Sequence, residues 1–259
     1  MDSEAADDRL VRVLDEATDI LCRVVVPLYK DERGRPSHFG TGFFVRAGSS
    51  NFLVSAAHVL EHGESLYYYT EPNVTVKLTG ERRLSRWDGD REHDPVDVGV
   101  LKLDQSTPPY PAVEKHAVDV SYLRSGLLPR TDKIYSIIGF PATGGKVNPR
   151  SKQIRSTVCS FRTRSIPDED YERLGCSAKS HVILSVDLRD GVDSNGRQRN
   201  FPKPQGMSGA PIFMLLDENP TLDVRSFPIV AIGTKYRRSE NALIGTDVAI
   251  AVAMINEAV

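Results

Sequence analysis

Gly206-Met207-Ser208-Gly209-Ala210-Pro211 decides the reading of this 259-residue chain. It sets a serine between glycines in the pattern Gly-x-Ser-Gly-x-Pro. A serine hydroxyl is a poor nucleophile at neutral pH, so it needs an imidazole to take its proton and a carboxylate to hold that imidazole in the right tautomer. Two upstream segments supply them: Ser55-Ala56-Ala57-His58, and Asp97-Val98-Gly99-Val100-Leu101-Lys102-Leu103. The order along the chain is His, Asp, Ser. An α/β-hydrolase runs Ser, Asp, His, with the serine inside Gly-x-Ser-x-Gly, so that fold is disfavoured.

Three segments carry a family resemblance: Gly40-Thr41-Gly42-Phe43-Phe44-Val45 leading to Ala56-Ala57-His58, then Asp97 to Leu103, then Gly206 to Pro211. Ile138-Gly139-Phe140-Pro141 is a softer fourth. On these the chain resembles the trypsin-like (chymotrypsin-fold) serine peptidases, especially the disulfide-poor bacterial branch that includes the HtrA-like catalytic domain. The match covers residues 22–247. It implies a mostly β protein of two six-stranded antiparallel Greek-key β-barrels with an N-terminal and a C-terminal helix. The expected organisation is 1–21 helical extension, 22–113 first barrel, 114–130 linker, 131–247 second barrel and 248–259 helix.

What the resemblance implies for chemistry is a serine endopeptidase acting through an acyl-enzyme, without a cofactor or a metal. Ser208 is then the nucleophile, His58 the general base and acid, and Asp97 the group that orients His58. The backbone N–H groups of Gly206 and Ser208 form the oxyanion hole, and a glycine at 206 lets its N–H turn toward substrate. Substrate backbone is expected to add as a strand along Gly233, Thr234 and Lys235, by resemblance only.

Periodicity gives the elements. Leu10, Val13, Leu14, Ala17, Ile20 and Leu21 recur at helical spacing over residues 7–21. Such a helix packs on a barrel or docks another chain. Strands are expected at 22–29, 39–45, 51–55, 74–78, 98–103, 133–139, 155–162, 181–186, 210–216, 228–234 and 242–245, with a turn through Ala47-Gly48-Ser49-Ser50. Pro108, Pro109, Pro111 and Pro129 mark the connection between barrels. Thr246 or Asp247 is placed to cap a last helix over 248–258.

Composition narrows the class. With 40% hydrophobic residues the chain can bury a sizeable core. A net charge of -2 gives no electrostatic reason to expect nucleic acid. The basic groups Arg150, Lys152 and Arg155, and Lys235, Arg237 and Arg238, read as solvated loop charges. Met1 to Asp8 has neither a basic n-region nor an apolar h-region, and no apolar run approaches the ~20 residues of a membrane span, so a cytoplasmic location without membrane contact is expected. Cys22, Cys159 and Cys176 form no disulfide pattern. Asn73-Val74-Thr75 fits a glycosylation acceptor, without weight in a cytoplasmic chain.

Departures from the family bear on regulation and specificity. Trypsin-like zymogens carry, just before the nucleophile, an aspartate that pairs with the new N-terminal ammonium. Here Met207 stands there and no Ile-Val-Gly-Gly-like start exists, so activation by trimming is not expected. The N-terminal helix, with no room for a PDZ-type domain after Val259, fits an activating protein partner instead. Phe201-Pro202-Lys203-Pro204-Gln205, before the oxyanion loop, holds no acid, which disfavours Arg or Lys at the cleaved position unless Asp187, Asp190 or Asp193 folds back. Residues 187–205 read as either a gating loop or an exposed connection.

Three alternatives stay open on the sequence. Asp94 competes with Asp97 within His93-Asp94-Pro95-Val96-Asp97, although Asp97 directly precedes the apolar strand. His58-Val59-Leu60-Glu61-His62 fits an inverted zinc-peptidase pattern, which needs a long helix and a third carboxylate. A peptidase-like module that binds peptides without cutting them is the third.

Overall fold

The computed structural model of the chain describes residues 13–259 apart from 14, 17, 20, 34, 72–73, 105–116, 128–130, 143–145, 148–153, 190, 193–197 and 217–226. The first half builds β1 (Val25–Glu32), β2 (Arg35–Ala47), β3 (Ser50–Ala56), the short helix α1 (Ala57–Leu60), β4 (Tyr67–Glu71), β5 (Val74–Lys77), β6 (Gly80–Leu84), β7 (Val98–Leu103) and β8 (Val118–Asp119). These strands pair in the order β5-β4-β1-β2-β3-β7-β6, with β8 parallel beside β2. The second half builds β9 (Tyr135–Gly139), β10 (Lys146–Val147), β11 (Ile154–Arg155), β12 (Cys159–Thr163), β13 (His181–Ser185), β14 (Gly191–Val192), β15 (Gln198–Arg199), β16 (Pro211–Met214), β17 (Ile229–Arg237), β18 (Ala242–Asp247) and helix α2 (Ala249–Asn256). Its main sheet runs β12-β9-β16-β17-β18-β13 in antiparallel pairs. A bridge from Ser165 to Leu184 brings the chain after β12 onto β13, so this sheet curls nearly closed. Two curled, predominantly antiparallel half-barrels result, an arrangement compatible with a chymotrypsin-like fold.

Period-two alternation explains why the strands read as continuous apolar runs. Phe43 and Val45 point into a core shared by the two sheets and α2, whereas Phe44 between them points into the first half-barrel. Phe213 and Ile138 enter the same shared core, while Ile212 and Ile137 fill the second half-barrel. With both faces buried, the apolar/polar alternation that marks a half-exposed strand is lost.

Several expectations need correction. The first sheet has eight strands, not six; β6 (Gly-Glu-Arg-Arg-Leu) is polar because it is a rim strand pairing only with β7, β8 is two residues long, and β4 (Tyr-Tyr-Tyr-Thr-Glu) carries an aromatic strand signal that the expected strands omit. The first strand starts at Val25, because Cys22-Arg23-Val24 ends the helical stretch that precedes it. The connection expected at 114–130 contributes a strand: Val118 and Asp119 pair with Val45 and Arg46. All four prolines of that connection lie outside the described residues, as do Asn73, Arg150 and Lys152.

The described residues Val13, Asp15, Glu16, Thr18, Asp19 and Leu21 of the first stretch are helical, while Leu10, Leu14, Ala17 and Ile20 lie outside the description. Leu21 is buried in the shared core, and Arg162 of β12 donates to Asp15 Oδ1 (2.7 Å) and Thr18 Oγ1 (2.9 Å). At the other end Asp247 Oδ1 accepts from the Ala249 N–H at 2.7 Å, satisfying a first-turn donor of α2. Cys22, Cys159 and Cys176 are free thiols. No helix among the described residues is long and apolar enough to cross a membrane.

Candidate active site

α1 follows β3 directly and places His58 in its first turn. The N–H groups that open this turn find their acceptors on one residue far along the chain. Ala57 N–H donates to Asp97 O (3.0 Å), and His58 N–H to Asp97 Oδ1 (2.9 Å). The second carboxylate oxygen, Oδ2, takes the ring proton of His58 Nδ1 at 2.6 Å. A carboxylate has no proton to give, so this bond fixes the tautomer and leaves Nε2 as the basic nitrogen. Asp97 is 5% exposed and sits at φ +46°, a left-handed conformation that aspartate adopts more readily than most residues.

The loop that presents Asp97, in the first half-barrel, is held by two strands of the second. Thr246 Oγ1 of β18 donates to Val96 O (2.7 Å), and His181 Nε2 of β13 to Pro95 O (2.7 Å). Asp94 serves this loop and does not touch His58. Its buried carboxylate accepts from Ser85 Oγ (2.6 Å), Arg91 Nη1 (2.8 Å) and Val96 N–H (2.9 Å). Burial alone would raise its pKa, but these hydrogen bonds outweigh burial and hold it below the usual aspartate value.

Two successive tight turns, Pro204–Met207 and Met207–Ala210, lead to and contain Ser208. Met207 N–H donates to Pro204 O and Ala210 N–H to Met207 O, both at 2.9 Å, with Gly206 (φ +90°) and Gly209 (φ +88°) at the third position of each turn. That position demands φ near +80° in a type II turn, which explains the two glycines. Space demands them too: a Cβ on Gly209 would stand 2.1 Å from Ser55 Oγ and Thr41 O, and one on Gly206 2.7 Å from the His38 ring. The loop is thereby pressed against Ser55 and Ala56, the residues that lead into α1 and His58.

Every carbonyl from Gln205 to Ser208 has a donor. Ala142 N–H reaches Gln205 O (2.6 Å), Thr41 Oγ1 reaches Gly206 O (2.9 Å), Ala210 N–H reaches Met207 O and Thr41 N–H reaches Ser208 O (2.8 Å). The N–H groups of Met207, Gly209 and Ala210 are also used. Those of Gly206 and Ser208 donate no hydrogen bond among the described residues. Met207, where a charge pair would need an acid, is 2% exposed and packs among Tyr135, Ile137 and Ile212.

Ser208 Oγ donates to Thr234 O at 3.5 Å and makes no hydrogen bond to His58 among the described residues. Thr234 is the bulged residue of β17, between Gly233 paired with Gly245 and Lys235 paired with Ile244. Gly233 is already engaged by the loop, its carbonyl accepting from Gly209 N–H (2.7 Å) and its N–H reaching Ala210 O (2.8 Å). β16 pairs with β17 only as far as Ile232, so among the described residues no strand covers that edge beyond Gly233. Lys235 there is exposed. Beneath this edge Leu188, Phe201, Met207 and Tyr236 join one apolar cluster. Asp187 is bound by Arg189 through bonds of 2.7 and 3.1 Å, and these hold its carboxyl down at about 2. Asp190 and Asp193 lie outside the described residues.

The zinc alternative loses its frame. α1 ends at Leu60, Gly63 turns the chain at φ +66°, and exposed His62 packs edge-on against Phe39 at 4.4 Å. No group of three or more His, Cys, Asp or Glu among the described residues could hold a metal ion.

Sequence reasoning gave no role to Thr41, Ser55, Ala142, His181 or His38. A usable signal existed for Thr41, a lone hydroxyl inside the apolar run Phe39 to Val45. His38 carried none: its ring meets Tyr29 edge-on at 5.5 Å, and both its nitrogens are buried with no side-chain hydrogen-bond partner among the described residues. Burial lowers its pKa from 6.5 to about 4. The unfolded chain therefore binds this proton first as pH falls, so stability present above pH 6.5 is lost progressively toward pH 4, by about 3 kcal/mol. Melting curves of wild type and His38→Phe should diverge over that window, with the variant less acid-sensitive; parallel curves would contradict the burial argument. Compared with models of known protein families and with curated proteins, the chain matches none.

Proposed function

We propose that the chain is a trypsin-like serine endopeptidase, with His58, Asp97 and Ser208 as its triad. The observation that carries this is the His58–Asp97 pair, joined through both carboxylate oxygens and fixing the tautomer with Nε2 basic. In this reading Ser208 Oγ attacks a peptide carbonyl while its proton passes to His58 Nε2. The imidazolium, stabilised by Asp97, returns that proton to the leaving amine as the acyl-enzyme forms, and water then repeats the cycle. The unused N–H groups of Gly206 and Ser208 suit an oxyanion, each such donor being worth about 2.7–4 kcal/mol in the transition state. A substrate strand would add to β17 from Thr234 onward, since Gly233 is occupied. The apolar cluster below, with Asp187 neutralised by Arg189, favours an uncharged residue at the cleaved position. Greek-key barrels, divided at residues 114–130, and a cytoplasmic, bacterial setting belong to the same proposal. So does regulation by a protein partner instead of N-terminal trimming.

The test is labelling with a fluorescent fluorophosphonate. Wild type should label and Ser208→Ala and His58→Ala should not, with chelator making no difference. One observation favours a second reading, a peptide-binding module that does not cut: Ser208 Oγ bonds Thr234 O and not His58. Folded wild type that binds peptides at the β17 edge and never labels would select it.

A further inference from the structure

We propose that Thr41 is the positioning residue of the nucleophile loop, clamping through uncharged hydrogen bonds the two peptide planes that alternate with those carrying the donor N–H groups of Gly206 and Ser208. The inference rests on the peptidase reading above. Of the four consecutive carbonyls Gln205 to Ser208, two are held by this one residue: Gly206 O by its hydroxyl (2.9 Å) and Ser208 O by its N–H (2.8 Å). A trans peptide points its C=O and its N–H in opposite directions, so a bonded carbonyl fixes the following N–H. The planes after Gly206 and after Ser208 are thus set by Thr41. Those between and before them, which carry the unused N–H groups of Ser208 and Gly206, are set by Ala210 and Ala142.

Gly206 and Gly209 are the two joints at which this loop could turn most easily. Thr41 clamps the carbonyl next to each. Its hydroxyl has one proton and gives it to Gly206 O, while accepting from Phe140 N–H at 3.1 Å. Its own carbonyl is held by Ser55 Oγ at 2.6 Å, and the residue is fully buried. Gly139 leaves room for the hydroxyl, since a Cβ there would come to 3.2 Å from it. Thr41 therefore ties β2, the end of β9 and the nucleophile loop into one unit. With Met207 buried and apolar, no charge at that position shares the task.

Thr41→Val removes the hydroxyl at constant shape, and Thr41→Ser keeps it. For Thr41→Val, we expect kcat on a peptide substrate and the rate of fluorophosphonate labelling to fall about 10²-fold, with KM within threefold of wild type. Thr41→Ser should stay within threefold of wild type in all three. If Thr41→Val does not fold, Thr41→Cys, with its weak donor, carries the test and should lose at least fivefold in kcat. A hydroxyl-free variant that is folded and works at the wild-type rate would overturn the proposal. So would Thr41→Ser losing as much kcat as Thr41→Val. Labelling of wild type at Ser208 keeps the peptidase reading standing in either of those cases; failure of wild type to label removes the reading and the inference with it.

Discussion

Ser208→Ala is expected to lower kcat for peptide hydrolysis by about 10⁶-fold and to leave the fold intact. The hydroxyl contributes little to structure. Its one hydrogen bond among the described residues, to Thr234 O, is 3.5 Å long, and the turns around it are built from backbone groups that alanine also carries. An unchanged melting temperature with hydrolysis reduced to background is the expected pair of results. Hydrolysis at more than a hundredth of the wild-type rate would remove Ser208 from the chemistry.

Asp97→Asn should cost about 10⁴-fold in kcat. Asp97 accepts two hydrogen bonds from His58, one at each carboxylate oxygen. Asparagine offers only one oxygen. If that oxygen faces His58 N–H, its amide meets Nδ1 as a donor, the ring adopts the other tautomer and Nε2 no longer accepts the serine proton. If it faces Nδ1, the amide is set against the His58 N–H, donor against donor. Backbone strain does not confuse the result, because asparagine tolerates φ +46° as well as aspartate does. A pH–rate profile of Asp97→Asn against wild type checks this; a loss below tenfold would mean that another group orients His58.

The residues that make up the candidate site were legible because each announces itself locally. His58 stands where an apolar strand runs into a short helix, Asp97 opens β7, and the two glycines flanking Ser208 reflect turns that only a positive φ can make. The bonds that hold these pieces were not legible, because they join residues far apart in sequence. Thr41 meets Gly206 across 165 residues and Thr246 meets Val96 across 150. Neither leaves a mark in its own neighbourhood beyond a polar side chain in an apolar strand. The open edge beyond Gly233 depends on where β16 stops, which no pattern within β17 reveals. Polar rim strands such as β6 escaped for a different reason: an edge strand with exposed faces need not alternate.

The central claim is that Ser208 forms a covalent acyl-enzyme with His58 as base. Intact-mass spectrometry of wild type quenched in acid milliseconds after mixing with an activated peptide ester tests it most directly. The account predicts a mass increase equal to the acyl group, mapped by digestion to the peptide containing Ser208 and absent from both Ser208→Ala and His58→Ala. Turnover of the ester by folded wild type with no adduct on Ser208, or an adduct that persists in Ser208→Ala, would contradict it.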